Sequence, residues 1–261
     1  YVFWLGLISL ICLILERIRP WRKNQKLNRE ELFQDFFWLV FNGYVFGFVF
    51  EYIRIPLGQG FGKLYASLFQ GNLKTIKLIT NVPLIWQVLI FLVMGDFIEW
   101  IVHYFLHRIS WFWKFHRVHH SILTMDWIGN FRFHWLEIVI YNTVKYLPMT
   151  LLGANGIAIL IAAVTSTLIG HLNHSNLNIS WGPLRYVFNS PRMHIWHHER
   201  KVRGKAGVNF GVVFSIWDWL FGTAYMPMDQ KEPEKIGFMG DQHVSHNILK
   251  RFFIPFIDEK K

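Results

Sequence analysis

Five histidines lie within the eighteen residues from His103 to His120, at the far end of a long apolar run. His103 and His107 are four residues apart, while the last three, His116, His119 and His120, are spaced i, i+3 and i+4. Residues three or four apart share one face of a helix, so each group predicts a helical face lined with imidazole rings. Two such faces can close on a metal ion, which makes this stretch the strongest constraint on the fold.

The same histidine spacing recurs further along the chain. His194, His197 and His198 stand in the segment HIWHH, and a looser pair, His171 and His174, stands in HLNH. Neutral imidazole suits first-row metals such as iron, zinc, copper and nickel. Ten candidates are too many for one ion, and four or five for each ion predict a dinuclear site coordinated almost entirely by nitrogen. The candidate metal ligands are His103, His107, His116, His119, His120, His171, His174, His194, His197 and His198.

Three acidic residues are candidates for orienting these ligands. Asp96 and Glu99 lie one to two helical turns before His103, and Asp218 follows the HIWHH segment. A ligating imidazole usually donates its other N–H to a carboxylate or a carbonyl, which is the role that we predict for these three side chains. The alternative is an interfacial carboxylate that pairs with Arg108 or a neighbouring lysine.

Other residues near the boxes have a structural interpretation. His134, His243 and His246 are isolated, and an isolated histidine on an apolar face is typical of a hydrogen-bonded core residue. The aromatic run WFWKF at 111–115 fits either a wall that keeps water from the site or part of an interfacial belt. The one cysteine, Cys12, excludes an intramolecular disulfide and a thiolate-rich zinc site.

Long apolar runs indicate an integral membrane protein. The chain is 52% hydrophobic and carries a formal charge of +10, with its Lys and Arg residues between the apolar runs, as in cytoplasmic loops near anionic headgroups. This distribution argues against nucleic-acid binding. We therefore predict an all-α integral membrane protein with about four transmembrane or re-entrant helices and a cytosolic helical cap that holds the histidine-rich di-metal site.

The first apolar run, residues 1–15, sets the predicted topology. A basic stretch follows it, an order that favours a membrane anchor over a signal peptide. The run is shorter than the ~20 residues that span a bilayer and begins with Tyr1, so we expect part of the N-terminus to be missing. If the loop 16–31 is cytoplasmic, a multi-pass topology places His103 onward at the cytoplasmic face of a bacterial inner membrane, or of the endoplasmic reticulum in a eukaryote.

We expect three regions along the chain. They are a membrane anchor with an interfacial connection at 1–82, a histidine-box catalytic domain at 83–226 that contains a membrane hairpin at 136–171, and a polar tail at 227–261 that caps the cytosolic face. The connection over 51–82 is predicted to contain one short amphipathic helix. The segment GANG at 153–156 predicts the hairpin turn.

Local signals also bound the helix of the second histidine box. Ser190 is a predicted N-cap, and Pro191 is favoured at the first helical position. The helix should carry the three histidines of HIWHH in its first two turns. Gly204 and Gly207 are predicted to end it.

Several segments together resemble the fatty acid hydroxylase superfamily, also called the sterol desaturase family, in its compact bacterial-type form. They are GDFIEWIVHYFLHR, WKFHRVHHS, FRFHWLE, HSN, and RMHIWHH followed by NFG and WDWLFGT, from about Gly95 to Thr223. The family more often has proline where Trp135 stands. The resemblance implies catalytic metal ligands at His103, His107, His116, His119, His120, His174, His194, His197 and His198, with His171 as a further metal candidate.

The resemblance also implies a chemistry. A di-iron centre would use O2 to hydroxylate or desaturate an unactivated C–H bond of a membrane lipid or sterol-like substrate. Zinc can replace the iron in a purified protein. The chain has no flavin, haem or iron–sulfur motif, so electrons would come from a separate electron-transfer partner or from a pterin.

Two other classes of protein are alternatives to this oxygenase. A zinc-dependent membrane hydrolase of a lipid ester or amide needs a general base, and Glu199 beside His198 is the adjacent candidate. A metal transporter would place its histidines across several spans near the midplane. Here they gather at segment ends, which favours the oxygenase.

Overall fold

A computed structural model describes residues 1–69, 77–230, 232–241, 246–254 and 256. Within these ranges the chain is helical, with isolated β-bridges and no strand, which confirms the predicted all-α class. A π-helical turn joins α2 to α3, and short 3-10 helices cover Trp127–Phe131 and Gly182–Tyr186. The α-helices are α1 (Val2–Ile18), α2 (Leu32–Val40), α3 (Phe46–Phe69), α4 (Leu84–Arg108), α5 (Ser110–His120), α6 (Trp135–Leu151), α7 (Gly156–His174), α8 (Pro191–His197), α9 (Ile216–Phe221) and α10 (Ile248–Phe253).

Three segments in the described ranges are helical, long and apolar enough to cross a membrane. They are Leu32–Val49, which runs from α2 into α3, Leu84–Arg108, which is α4, and Gly156–His174, which is α7. The helices α1 and α6 have 17 residues each and fall short of the ~20 residues of a full crossing. The chain is therefore a helical membrane protein, with three candidate spans where the sequence predicted about four spanning or re-entrant helices.

The prediction of an interfacial connection over residues 51–82 is wrong for residues 51–69. Instead of a short amphipathic helix, α3 continues without a break to Phe69 and contains Pro56. An interior proline removes a backbone hydrogen bond and costs about 3 kcal/mol or more, and each glycine costs about 1 kcal/mol relative to alanine, so local propensity predicts a break that this helix does not have. Residues 70–76 lie outside the described ranges.

The segment predicted as a membrane hairpin forms two helices, α6 and α7, which are joined by a short turn and both pack against α4. Gly153 has a φ of +81°, and Asn155 caps α7 by accepting a hydrogen bond from a backbone N–H at 2.8 Å. Phe91 of α4, Met149 of α6 and Ala158 of α7 share one buried apolar cluster. This packing brings the C-terminal ends of α4 and α7, which carry histidines, to the side of α5 and α8.

The helix of the second box begins as predicted and ends earlier. Ser190 Oγ accepts a hydrogen bond from Met193 N at 3.2 Å, and the helix ends at His197 rather than near Gly204 and Gly207. Beyond the helix, the carbonyl of His198 accepts a hydrogen bond from the backbone N–H of residue 237 at 3.0 Å. The chain leaves the helix because this backbone pairing replaces the next helical turn.

A buried ionic network ties the start of α2 to the segment that follows α5. Arg132 is fully buried and bonds Asp35 and Glu31, the latter at 2.5 Å between Nη1 and Oε2. Arg29 adds bonds of 2.6 Å to Asp35 and to Asp126. These ion pairs hold residues 29–35 against residues 126–132, the segment that follows the histidines of α5.

Replacing Arg132 by alanine is expected to lower the free energy of unfolding by about 3–5 kcal/mol, because Asp35 and Glu31 each lose a buried partner. The measurement is thermal unfolding of the purified protein in detergent. Lys26→Ala, at an exposed cation of the N-terminal loop, is the control and should change stability by no more than about 0.5 kcal/mol. Equal melting temperatures for Arg132→Ala and the unaltered chain would contradict the structural role of the network.

Candidate metal centre

Nine of the ten candidate histidines converge in two adjoining groups. The first group is His103 and His107 from α4, His116 and His120 from α5, and His197 from α8. The second group is His119 from α5, His174 from α7, His194 from α8, and His198 directly after it. Within each group, one nitrogen of every ring lies within 4.8 Å of the others, and every ring is buried except that of His107, which is partly buried.

Each HxxHH box contributes to both groups. In α5, the histidines four residues apart, His116 and His120, belong to the first group, and the middle one, His119, belongs to the second. In the second box this is reversed, and only the middle histidine, His197, belongs to the first group. The groups adjoin at His120 and His198, whose ring centroids are 4.6 Å apart. Two facing boxes therefore build two sites side by side, since i and i+4 lie on one stripe of a helix and i+3 on its flank.

The nitrogens of the first group cannot all satisfy one another by hydrogen bonds. His107 Nε2 lies 3.0 Å from His116 Nε2 and 3.1 Å from His120 Nε2. A neutral imidazole carries one N–H, so converging ring nitrogens leave lone pairs without donors. His103 Nε2 and His197 Nε2 are buried and have no hydrogen-bond partner among the described residues. A cation shared by these lone pairs fits the arrangement.

The ring nitrogens of the second group also converge without enough hydrogen-bond donors. His174 Nε2 lies 3.2 Å from His119 Nε2 and 3.3 Å from His194 Nε2. Both ring nitrogens of His198 are buried, and neither has a hydrogen-bond partner in the part of the chain that is described. Four nitrogens facing one point again fit a bound metal ion.

Burial keeps the site histidines outside the candidate spans neutral. It lowers the pKa of each ring well below its ordinary value of 6.5, and repulsion from neighbouring histidines acts in the same direction. Their lone pairs are therefore free to coordinate at neutral pH, which suits first-row metals. This holds for His116, His119, His120, His194, His197 and His198.

Glu137 orients His116, and the sequence analysis missed it. His116 Nδ1 donates a hydrogen bond of 2.8 Å to Glu137 Oε1, and both side chains are buried. This bond turns Nε2 toward the first group. The signal in the sequence was an acidic residue within an apolar helix, three positions after His134 in the motif FRFHWLE.

Three further rings donate from Nδ1 to backbone carbonyls, which leaves Nε2 available to a metal. Two of these carbonyls belong to the loop at 208–214 between α8 and α9, so this loop fixes rings from two different helices. The pairs are His103 with Phe210 O at 2.7 Å, His197 with Val208 O at 2.8 Å, and His174 with Gly170 O at 2.9 Å.

The prediction that the three acidic residues accept hydrogen bonds from the histidines is wrong. Among the described contacts, Asp96, Glu99 and Asp218 do not bond to any histidine. Glu99 pairs with Lys145 at 2.7 Å, the ion pair given as the alternative. Asp218 instead accepts the backbone N–H of Phe210 at 2.9 Å. Asp96 accepts the backbone N–H groups of Val213 and Phe214 and the indole N–H of Trp217, at 2.6–2.9 Å. Both aspartates therefore hold the loop whose carbonyls orient the ligands.

His171 lies outside both groups. Its Nδ1 accepts a hydrogen bond from Asn130 Nδ2 at 2.9 Å, and its Nε2 lies 3.2 Å from Ser9 Oγ. Both ring nitrogens are thus engaged on the side of α7 that faces α1. The isolated histidines also bond elsewhere: His134 to Phe252 O at 2.9 Å and His246 to Glu31 at 2.6 Å, while His243 lies outside the described residues.

A helical membrane protein with buried histidine groups able to hold two metal ions is the class that fold and site define. The family model for fatty acid hydroxylases matches residues 88–223, the stretch that contains all nine converging histidines. The chain belongs to the fatty acid hydroxylase family.

Curated lipid and sterol oxygenases are similar to the chain. The ornithine lipid hydroxylase OlsE of Rhizobium tropici is 30% identical over 98% of the chain and 75% of its own length. The alkylglycerol monooxygenase of Caenorhabditis elegans is 25% identical over 69% of the chain and 35% of its own length. Methylsterol monooxygenase 1-1 of Arabidopsis thaliana is 23% identical over 57% of the chain and 50% of its own length. No solved structure matches the chain.

Glu137→Ala is expected to weaken metal binding by about 10–100-fold, because His116 loses the acceptor that orients its ring. The measurement is metal retained per chain during titration with a competing chelator. Glu137→Gln, which keeps an oxygen acceptor, is the matched control and should retain more metal than the alanine variant. Identical retention by both variants and the unaltered chain would show that the Glu137–His116 bond does not support the site.

Proposed function

We propose that the chain is a membrane-bound oxygenase that hydroxylates an unactivated C–H bond of a lipid, using two iron ions, O2 and electrons from a separate donor. The observation that carries the proposal is the pair of buried, all-histidine groups at the ends of two candidate spans. Family membership supports it, as do the names of relatives that act on ornithine lipids, alkylglycerols and methylsterols.

In this proposal each histidine group holds one iron ion. When bound, the two ions supply the activation of O2 that attack on an unactivated C–H bond requires. The protein's own task is to fix the rings. Glu137 does so for His116, and the loop at 208–214 does so for His103 and His197. The geometry of both groups is thereby set before substrate arrives.

Aromatic side chains exclude water from the groups. The ring centroid of Trp113 lies 5.1 Å from that of His107 and 5.3 Å from that of His120. Phe133 stacks on His119 at 4.5 Å with an interplanar angle of 15°. These rings support the interpretation of Trp113 as part of a wall, and a dry site protects a reactive oxidant from side reactions.

The histidine groups and the basic N-terminal loop share one side of the molecule. Trp21 N donates to Asn176 O at 2.8 Å, and Asn176 follows the ligand candidate His174 by two residues. Positively charged loops favour the cytoplasmic side, so we place the metal site there, in a bacterial inner membrane or in the endoplasmic reticulum. A lipid chain lying along α4 can then reach the site from the bilayer.

The hydrolase alternative finds no support in the contacts of its candidate base. Both carboxylate oxygens of Glu199 bond the guanidinium of Arg203, with Oε1 at 2.9 Å from Nη2. The carboxylate that would have to act as the general base is therefore already paired with Arg203. The transporter alternative also lacks support, because the histidines close into two compact groups at helix ends.

His119→Ala and His197→Ala each remove one ligand candidate, from the second and the first group respectively. Each variant is expected to lose bound iron and all lipid oxidation, because neither group holds its ion with a ring missing. The measurements are metal content per chain, O2 consumption, and mass spectrometry of lipids for the gain of an oxygen atom or the loss of two hydrogens. Stoichiometric zinc without O2 consumption in the unaltered protein would favour the hydrolase instead.

Two histidine variants outside the groups are the matched controls. His246→Ala removes an exposed ring, and His171→Gln keeps hydrogen-bonding capacity at the position that the groups leave out. Both should retain full metal content and activity. Loss of metal in His171→Gln with normal folding would return that residue to the ligand set, whereas full metal and turnover in His119→Ala and His197→Ala would refute the proposed site.

A further inference from the structure

An exposed apolar surface lies on the cap beside α4. Two segments form it: the 3-10 helix Gly182–Tyr186 with the residue before it, and the C-terminal half of α9. Contiguous exposed apolar patches of this kind mark interaction surfaces rather than ordinary protein exterior. We call it the aromatic platform, and its members, exposed by 37–66%, are Trp181, Leu184, Tyr186, Trp219, Leu220 and Phe221.

The two segments of the platform are joined into one surface. The ring of Tyr186 packs against that of Trp219, with centroids 4.9 Å apart. The carbonyl of Arg185 accepts hydrogen bonds from Trp219 Nε1 at 3.2 Å and from Ser215 Oγ at 2.6 Å. Ser215 N donates to Val187 O at 2.9 Å. Ring packing and hydrogen bonds therefore hold the two segments of the platform in a fixed relative position.

The polar tips of the platform's aromatic residues each form a hydrogen bond within the protein. Trp181 Nε1 donates to Asn189 O at 2.7 Å, and Tyr186 Oη accepts from Arg185 Nη2 at 3.0 Å. The outward face consequently presents carbon, with the Arg185 guanidinium 5.0 Å from the Tyr186 ring centroid. Trp and Tyr are enriched where proteins meet the membrane interface, and Arg near the interface attracts anionic headgroups.

The platform is continuous with a membrane-spanning helix at a definite depth. Phe221 packs on Trp100 and Phe97 of α4, with ring centroids 4.7 Å and 6.1 Å apart. A crossing of about 20 residues that starts at Leu84 ends near His103. Phe97 and Trp100 then lie about 5–9 Å inside that boundary, at a rise of about 1.5 Å per residue. Interfacial helices bury their apolar faces to a similar depth of about 5–10 Å.

We propose that the aromatic platform is inserted into the interfacial layer of the bilayer, as a contact additional to the candidate spans. Its occupant is lipid, because the face is apolar, the polar tips of its aromatic residues are hydrogen-bonded within the protein, and it packs on α4 inside a candidate span. The platform also bears on the metal site. α9 carries Asp218, which holds the backbone of Phe210, whose carbonyl orients His103. Lipid contact at α9 is thereby linked to the backbone that orients His103.

A single fluorescent label tests this inference. The one native cysteine, Cys12, is buried, so an introduced cysteine can be labelled selectively. Leu220→Cys carries an NBD group, and the full chain is reconstituted into phosphatidylcholine vesicles that contain lipids spin-labelled on the acyl chain. Val202→Cys, on the polar loop after α8, is the matched control, since its exposed fraction of 62% is close to the 66% of Leu220.

We expect the label at position 220 to emit further to the blue and to be quenched several-fold more by the spin-labelled lipids than the label at 202. Leu184→Cys, on the other segment of the platform, should behave like Leu220→Cys. Equal emission and quenching at 220 and 202 would overturn the inference. Self-quenching that grows with protein density, without quenching by lipid, would assign the platform to a second copy of the chain and would also overturn it. Neither readout depends on metal or turnover, so the result is independent of the proposed oxygenase.

Discussion

Nine imidazole rings packed side by side, eight of them buried, with their ring nitrogens facing one another, are the constraint on which the rest of the structure depends. A buried ring nitrogen without a partner costs free energy, so a ring in such a group needs an acceptor behind it and a cation in front. The chain supplies such an acceptor for four of the nine rings: Glu137 for one ring and backbone carbonyls for three others. A carbonyl can serve this purpose only if its loop is held still.

The loop at 208–214 is held by α4, which carries two of the candidate ligands, and by α9, which carries none. Asp96 stands two helical turns before His103 on α4 and bonds the backbone of the loop that orients His103. Asp218 of α9 bonds the loop from the other side. A shift of α4 would therefore move ligand and acceptor together, so the angle between the ring and its carbonyl is preserved. This coupling explains why two buried aspartates lie near the groups without touching a histidine.

The sequence predicts what depends on spacing within one helix, and it fails where the outcome depends on which flank of a helix meets which neighbour. The boxes, their helical faces and the cap at Ser190 follow from periodicity and local chemistry alone. The choice of His174 over His171 follows from which flank of α7 meets α8 and which meets α1, and nothing local decides this. Glu137 lies on a different helix from the ring that it orients, and a carbonyl such as that of Phe210 carries no signal in the sequence. The early end of α8 likewise rests on backbone pairing with residues almost forty positions away.

The length of α4 links the membrane to the site. Its 25 residues extend about 37 Å at about 1.5 Å per residue, which exceeds the hydrocarbon thickness of about 30 Å, so one end must project into a polar layer. We infer that the projecting end is the one that carries His103 and His107, because α5, α8 and the loop at 208–214 enclose it. On this placement the histidine groups lie just outside the hydrocarbon, and the proposed lipid contact of the aromatic platform extends back along α4 to Trp100. An acyl chain lying against α4 keeps most of its carbons in lipid and needs to extend only a short distance beyond the boundary to present a C–H bond to the site.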